Sequence, residues 1–476
     1  MRYKGFIGPS YTLDSKNIDS QRCVNYYPKM DESGQGKSGE VGSLIGTPGL
    51  LTLATLSSGP IRGAYTGSNG FLYVVSGNKF YYVNSLWTAR EIGELSTSTG
   101  TVDFADNGST LFIVDGPNGY WHTLSSGILT RITDAAWLGS TTVNFIDGYF
   151  VFHDPASQKF YISGLNDITF DALDFSTADG APDDIIAIQV NHREVWIFGS
   201  DSIETWYNSG NADFPFERTG AGFIETGLAA AFSVAKIDRI TLWLGKNNLG
   251  EGIVYAAQGL VPQRISTHAI ELAIQSYGDI SDAVAYTYQE NGHQFYALNF
   301  TSADTTWVFD LTTKLWHERA YLKDGEYTRH RANCHAYAYN THVVGDWGNG
   351  KIYSLDSGTF YDDGQEIRRM RAAPHISEGV KRIKYKKFQL EAEVGTGLTT
   401  NVQGQDPKFV LQFSDDGGHT WSHEKTVDMG KLGKRIKRMI WRRLGIARSR
   451  TFRVISSEPV KTNIIGVELD AEVMGH

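Results

Sequence analysis

The segment NHREVWIFGSDSIETWYN, residues 191–208, reads as a β-hairpin. Val195, Trp196, Ile197 and Phe198 form a short β-branched and aromatic run. Gly199-Ser200-Asp201-Ser202 supplies turn chemistry, and Ile203, Thr205 and Tyr207 then alternate with Glu204 and Trp206. Working outward, the same design recurs. Hairpins of aromatic and β-branched strands begin near residues 71, 111, 149, 195, 241, 294 and 342. Their spacing of roughly 40–50 residues is that of a β-propeller blade. A lone hairpin is marginal in water. Four-stranded sheets packed radially bury both faces and leave only short edges. Seven repeats predict six or seven blades.

Composition agrees with many short strands. Of 476 residues, 51 are glycine and 12% are aromatic, while only 20% are charged. Cys23 and Cys334 are the only cysteines, which is no disulfide framework and points to a reducing compartment. The N-terminus lacks a signal-peptide core, and no run approaches the roughly 18 apolar residues of a membrane span. The expectation is a soluble chain folded in a cytoplasm, with no membrane anchor.

The chain divides into an N-terminal extended arm (1–59), a β-propeller (60–361), a transition segment (362–379) and a C-terminal β-sandwich (380–476), an all-β fold. In the arm, Pro28 is expected to stop the strand that begins at Arg22. Ser266 and Thr267 can cap a short helix running to Tyr277, and residues 228–232 offer a second helical turn or a buried strand. After about 362 the aromatic period is lost. Apolar strands of another rhythm follow at 388–394, 409–413, 440–444, 452–455 and 464–473.

Motifs that carry chemistry are weak. Gly36-Lys37-Ser38 resembles the end of a phosphate loop, but Asp31 stands where the first glycine is required. His330, Cys334, His335 and His342 match no zinc spacing and read as strand residues facing opposite sides. No nucleophile elbow is present. No catalytic residue, cofactor or metal is expected. Residues 414–421, SDDGGHTW, match the Asp-box. There Ser414, Asp416, Gly418 and Thr420 brace a hairpin turn, and Trp421 packs beneath it. The box marks a hairpin more than a function, although it also occurs in sialidases.

Residues 431–453 are the strong charge feature. They hold ten lysines and arginines and no acid, so the rest of the chain carries a formal −19 against a total of −9. Interleaved apolar residues suggest strands with Ile436, Met439, Ile440, Trp441, Leu444 and Ile446 turned inward. Lys434, Arg435, Lys437, Arg438, Arg442, Arg443, Arg448 and Arg450 are the candidate contacts to a partner or to DNA. A subunit interface, DNA contact and a solvated face all fit.

Several segments in one order complete the reading. They are RCVNYYP (22–28), GTPGL (46–50), the hairpin at 191–210, PFER (215–218) and IETGLAAAFSVAKID (224–238). PQRISTHAIELAIQSY (262–277), WVFDLTTKLWHER (307–319) and the tail at 441–470 follow. Together they resemble the packaged-DNA stabilisation proteins of short-tailed bacteriophages, the tail accessory or tail-hub family. The resemblance implies a late, non-enzymatic structural protein of the virion tail, assembled in the bacterial host cytoplasm. It implies a hexameric ring below the portal and adaptor that plugs the head, stabilises packaged DNA, supports genome ejection, and meets the tail needle and tailspikes. The alternatives are a carbohydrate-active propeller, either sialidase-like or a lectin-like tail component, and a host propeller that binds peptides.

Overall fold

The computed structural model describes residues 2–30, 42–125, 127–247, 249–399 and 402–474. The phosphate-loop-like Gly36-Lys37-Ser38 lies outside the described residues. The segment at 191–208 forms strands Glu194–Gly199 and Ile203–Asn208, paired antiparallel from Glu194↔Tyr207 to Phe198↔Ile203. Their turn is held from outside. The Asp183 carboxylate accepts hydrogen bonds from the backbone N–H groups of Asp201 and Ser202 and from the Ser202 hydroxyl, at 2.8, 2.9 and 3.1 Å. A Cβ on Gly199 would stand 2.1 Å from the same carboxylate, so only glycine allows this approach. Ile185–Asn191 precedes the hairpin through a turn in which His192 and Arg193 both have positive φ, the type I′ geometry that follows strand twist. Phe216–Ile224 completes the four strands.

This unit recurs. Residues 61–94, 103–131, 144–177, 185–224, 235–264 and 284–318 each form four sequential antiparallel strands, blades 1 to 6. Blade 7 has three strands of its own, Ala332–Ala338, Thr341–Asp346 and Lys351–Asp356. Its fourth comes from the N-terminus, where Gly49–Thr55 pairs antiparallel with Lys351–Asp356. The described residues therefore form seven blades, and each aromatic hairpin of the sequence is the second and third strand of one. Adjacent blades pack through these hairpins. Trp196 and Phe198 of blade 4 meet Trp243 of blade 5, with the Phe198 and Trp243 rings 5.8 Å apart and nearly perpendicular. Burying one such side chain contributes about 1.5–3 kcal/mol. Tyr65, Phe104, Gln189, Ala235, Tyr286 and His335 from six blades, with Thr142 just before blade 3, line an axial cavity of about 280 Å³.

The expected helix is His268–Gln275. The Thr267 side chain caps it by accepting from the Ile270 N–H, and Ile270 and Ile274 are buried. The second helical turn is the 3₁₀ turn Ala231–Ser233. Among the described residues no helix is long and apolar enough to cross a membrane.

The β-sandwich follows the propeller but is not built from the C-terminal residues alone. One sheet runs Tyr26–Met30, Gly42–Gly46, Ile464–Val473, Ile383–Ala392 and Met439–Arg442. The other runs Ser20–Val24, Arg369–Ala372, Ser449–Ser456, Lys408–Ser414 and Lys425–Asp428. Cys23, Tyr26 and Leu44 from the N-terminus share its core with Phe388, Leu411, Phe452 and Leu469. Three expectations differ from the structure. The arm at 1–59 is distributed between the sandwich and blade 7. The transition segment contributes the sandwich strand Arg369–Ala372, because its alternation lies hidden among charges. Pro28 does not stop its strand either, since Tyr26–Met30 is a sheet edge, where a missing N–H is tolerated.

Asn25 is the crossing point between the two sheets. With φ at 56° it turns the chain from Ser20–Val24 into Tyr26–Met30. Its side chain donates to the Ala320 and Arg368 carbonyls at 2.9 and 3.0 Å and accepts from the Ala320 N–H at 2.9 Å. Beside it, Val24 pairs in parallel with Glu318, the last strand of blade 6. One continuous sheet therefore runs from blade 6 into the sandwich.

Candidate partner-binding surface

The basic stretch lies on the sandwich and divides into a loop and two strands. Residues 431–438 are exposed throughout and form no strand. Met439–Arg442 then pairs with Ile383–Ala392, and the stretch ends in Ser449–Ser456. Met439, Trp441 and Leu444 point into the core as expected. Ile436 and Ile446 do not: they are 99% and 47% exposed, and Leu432 is 55% exposed. Like charges on both sides of Ile436 disfavour a paired strand, so the expected inward position is replaced by an apolar tip ringed by cations.

The ten cations have different fates. Lys431 pairs with Asp406 at 3.3 Å and Lys437 with Asp428 at 2.7 Å. Lys437 holds the Asp428 carboxyl below its ordinary range. Arg450 is not a surface contact, which corrects its place among the candidates. It is 2% exposed, bonds both Asp415 oxygens at 2.5 and 2.7 Å, and lies 4.0 Å from the Phe413 ring centre. Arg453 stacks 4.0 Å over Trp421 and donates to Gln412. Lys434, Arg435, Arg438, Arg442, Arg443 and Arg448 are exposed, with no carboxylate partner among the described residues. Those six are exposed along residues 434–448, together with the exposed Ile436.

The Asp-box residues stand beside this surface. Ser414 Oγ donates to Asp416 at 2.6 Å and accepts from the Gly418 N–H at 2.8 Å. Asp416 accepts the Thr420 N–H at 2.9 and 3.0 Å and the Thr420 hydroxyl at 2.5 Å. These hydrogen bonds hold the Asp416 carboxyl far below its ordinary range. Trp421 is half-buried, and the Arg453 guanidinium covers one face of its ring. Among the histidines, His335 Nε2 and His342 Nδ1 lie 3.0 Å apart, so these two share a face against expectation. Their diagonal positions on neighbouring strands of blade 7 bring them together. The described residues hold no cluster suited to a metal ion.

A matching acidic surface escaped the sequence reading. Between Lys159 and Arg193 there are six aspartates and no lysine or arginine. Of these, Asp167, Asp171, Asp179 and Asp184 are exposed, as are Leu165, Leu173 and Phe175. The segment spans the outer strand of blade 3, Phe175–Thr177, and the entry to blade 4. Counting charge over the entire chain hid it; counting in short windows would have found it.

Two family models match this chain. One, described as the β-propeller of bacteriophage P22 Gp10, matches residues 12–360. The other, the β-sandwich of the same protein, matches residues 368–472. No curated protein sequence matches. Similar solved structures include BamB from Moraxella catarrhalis, at 9% identity, 69% coverage of this chain, 95% of that one and a TM-score of 0.40. The N-terminal domain of Nup159 is 10% identical, with 66% and 97% coverage and a TM-score of 0.41. The WD40 domain of Neurospora crassa Pan2 is 9% identical, with 65% and 97% coverage and a TM-score of 0.43. Seven blades, a sandwich completed by the N-terminal strands, and family matches over nearly the whole length make this chain a member of the bacteriophage P22 Gp10 family of phage structural proteins.

Proposed function

We propose that this chain is a tail hub, a non-enzymatic ring subunit that joins the virion tail below the portal and adaptor. In this reading it closes the filled head, stabilises the packaged DNA, and carries the tail needle and tailspikes until genome ejection. It assembles in the host cytoplasm, and a hexamer is the ring expected of the family. Family membership supports the class of function. The observation that carries the assembly role is the solvated cationic surface at 431–448, with its exposed Ile436. A cyclic ring requires heterologous contacts, one patch meeting a different one. The acidic segment at 164–190 is the complementary patch in charge and in exposed apolar residues. Steering between such patches speeds docking and weakens with salt. The carbohydrate-active alternative has less support, because among the described residues the axial cavity is lined by no tryptophan and by one carboxylate, Asp103.

Charge reversal tests the interface. Arg442→Glu with Arg443→Glu should block assembly of tails that contain no DNA. Adding Asp171→Lys with Asp174→Lys in the same chain should restore a substantial part of it. If tails assemble normally and only DNA-filled heads leak, the surface contacts DNA instead.

A further inference from the structure

Five arginines are buried to 2% exposure or less: Arg62, Arg319, Arg369, Arg371 and Arg450. Four have hydrogen-bond partners. Arg371, for example, donates to the carbonyls of Gly5, Phe6 and Pro9 and to the Gln21 side chain, and so fastens the N-terminus to the sandwich. Arg369, two residues away, is 1% exposed; its guanidinium lies 5.8 Å from the Phe360 ring centre, and none of its three nitrogens has a hydrogen-bond partner among the described residues. A buried charge left without hydrogen bonds is costly, so such groups are normally paired or bind something.

Arg369 lines a cavity of about 450 Å³ where the sandwich meets the propeller. The sandwich supplies Tyr27, Lys29, Gly46, Thr462, Asn463 and Lys461, and the end of blade 7 supplies Ser357 and Phe360. Lys29, Arg369 and Lys461 are cations, and among the described residues no carboxylate lines the wall, in a chain whose net charge is −9. Gly46 keeps the guanidinium close to the wall: a Cβ there would stand 2.8 Å from Arg369 Nε. Two charges outside the wall bear on the site. Arg369 and a second guanidinium, Arg319, both act electrostatically on the buried Asp362 carboxylate. Glu393 holds Lys461 at 3.0 Å from the solvent side.

We propose that this cavity is a binding site for a small free oxyanion of the phosphate or sulfate class, held by Arg369 with Lys461. The bound anion would tie the sandwich to the end of blade 7, because both units line the cavity. The proposal does not depend on the tail-hub reading, and its test needs only the isolated chain.

The experiment is thermal unfolding in rising inorganic phosphate, with sodium chloride at equal ionic strength as the control, beside calorimetric titration of phosphate. Wild type should show a phosphate-specific rise in Tm and saturable heat. Arg369→Met removes the guanidinium that would hold the anion, so its Tm should rise no more with phosphate than with sodium chloride. Lys461→Met is an exposed change that leaves folding intact, and it should weaken phosphate affinity several-fold. Equal phosphate responses in wild type and both variants, or no saturable heat in wild type, would overturn the proposal and leave water as the occupant.

Discussion

The propeller and the sandwich solve the same problem of burying β-sheet faces in opposite ways. Blades 1 to 6 each use consecutive residues, so pairing partners lie within a few tens of positions. The sandwich draws strands from 20–46 and from 369–473, and Leu44 pairs with Ile464 across most of the chain. Several propeller histidines, His122, His153, His293, His317 and His330, are buried, whereas none of the described sandwich histidines, His375, His419 and His423, is. Local repetition makes the propeller self-contained; the sandwich exists only when both chain ends arrive.

The largest test of that contrast is deletion of residues 2–48, which removes three sandwich strands and spares Gly49–Thr55. The region after 369 should become sensitive to limited proteolysis while the blades stay resistant. Equal resistance would mean that the C-terminal residues fold alone. Next is Phe452→Ala. Its ring is 0% exposed and packs on Tyr3, Tyr385, Phe388 and Phe413, so truncation should cost about 3–5 kcal/mol in urea unfolding. A loss below about 1 kcal/mol would show that the sandwich core is loosely packed.

Acid should separate the two units further. Burial lowers the His153 imidazole in blade 3 to about 4, below its unfolded value of about 6.5. The unfolded chain then binds the extra proton between these values. Stability from this group is complete above about pH 6.5 and is lost towards pH 4, roughly 3 kcal/mol in all. His153→Gln should flatten the pH dependence of propeller unfolding over that window, and an unchanged slope would refute it. The smallest effect contrasts two arginines of the basic stretch. Arg450→Ala should cost about 1.5–3 kcal/mol, because it breaks charged hydrogen bonds to Asp415, while Arg442→Ala should stay within about 0.5 kcal/mol. Chemical denaturation of both variants measures the difference.

What was legible in the sequence follows the same division. The second and third strands of every blade carry aromatic and β-branched residues because neighbouring blades bury them. The outermost strands, such as Leu129–Arg131 and Pro262–Arg264, are short and largely exposed, so no apolar alternation marks them. The helix announced itself through Thr267. The role of residues 20–55 was hidden, because their partners lie several hundred positions away and register between distant strands leaves no local pattern. In the candidate surface, the charge of 431–453 was plain. The burial of Arg450 and the exposure of Ile436 were not, since both depend on which neighbouring strand is present.

Blade 7 has a consequence for synthesis on the ribosome. Its outer strand, Gly49–Thr55, leaves the exit tunnel early, but its partner Lys351–Asp356 is made almost three hundred residues later. At roughly 5–20 residues per second, the early strand waits about 15–60 s with an unpaired edge. Throughout that interval the ring is open, and a nascent chain stalled before residue 351 offers a free strand to any similar edge nearby. Only a finished polypeptide closes the circle, so a truncated translation product is excluded from a closed propeller by its topology.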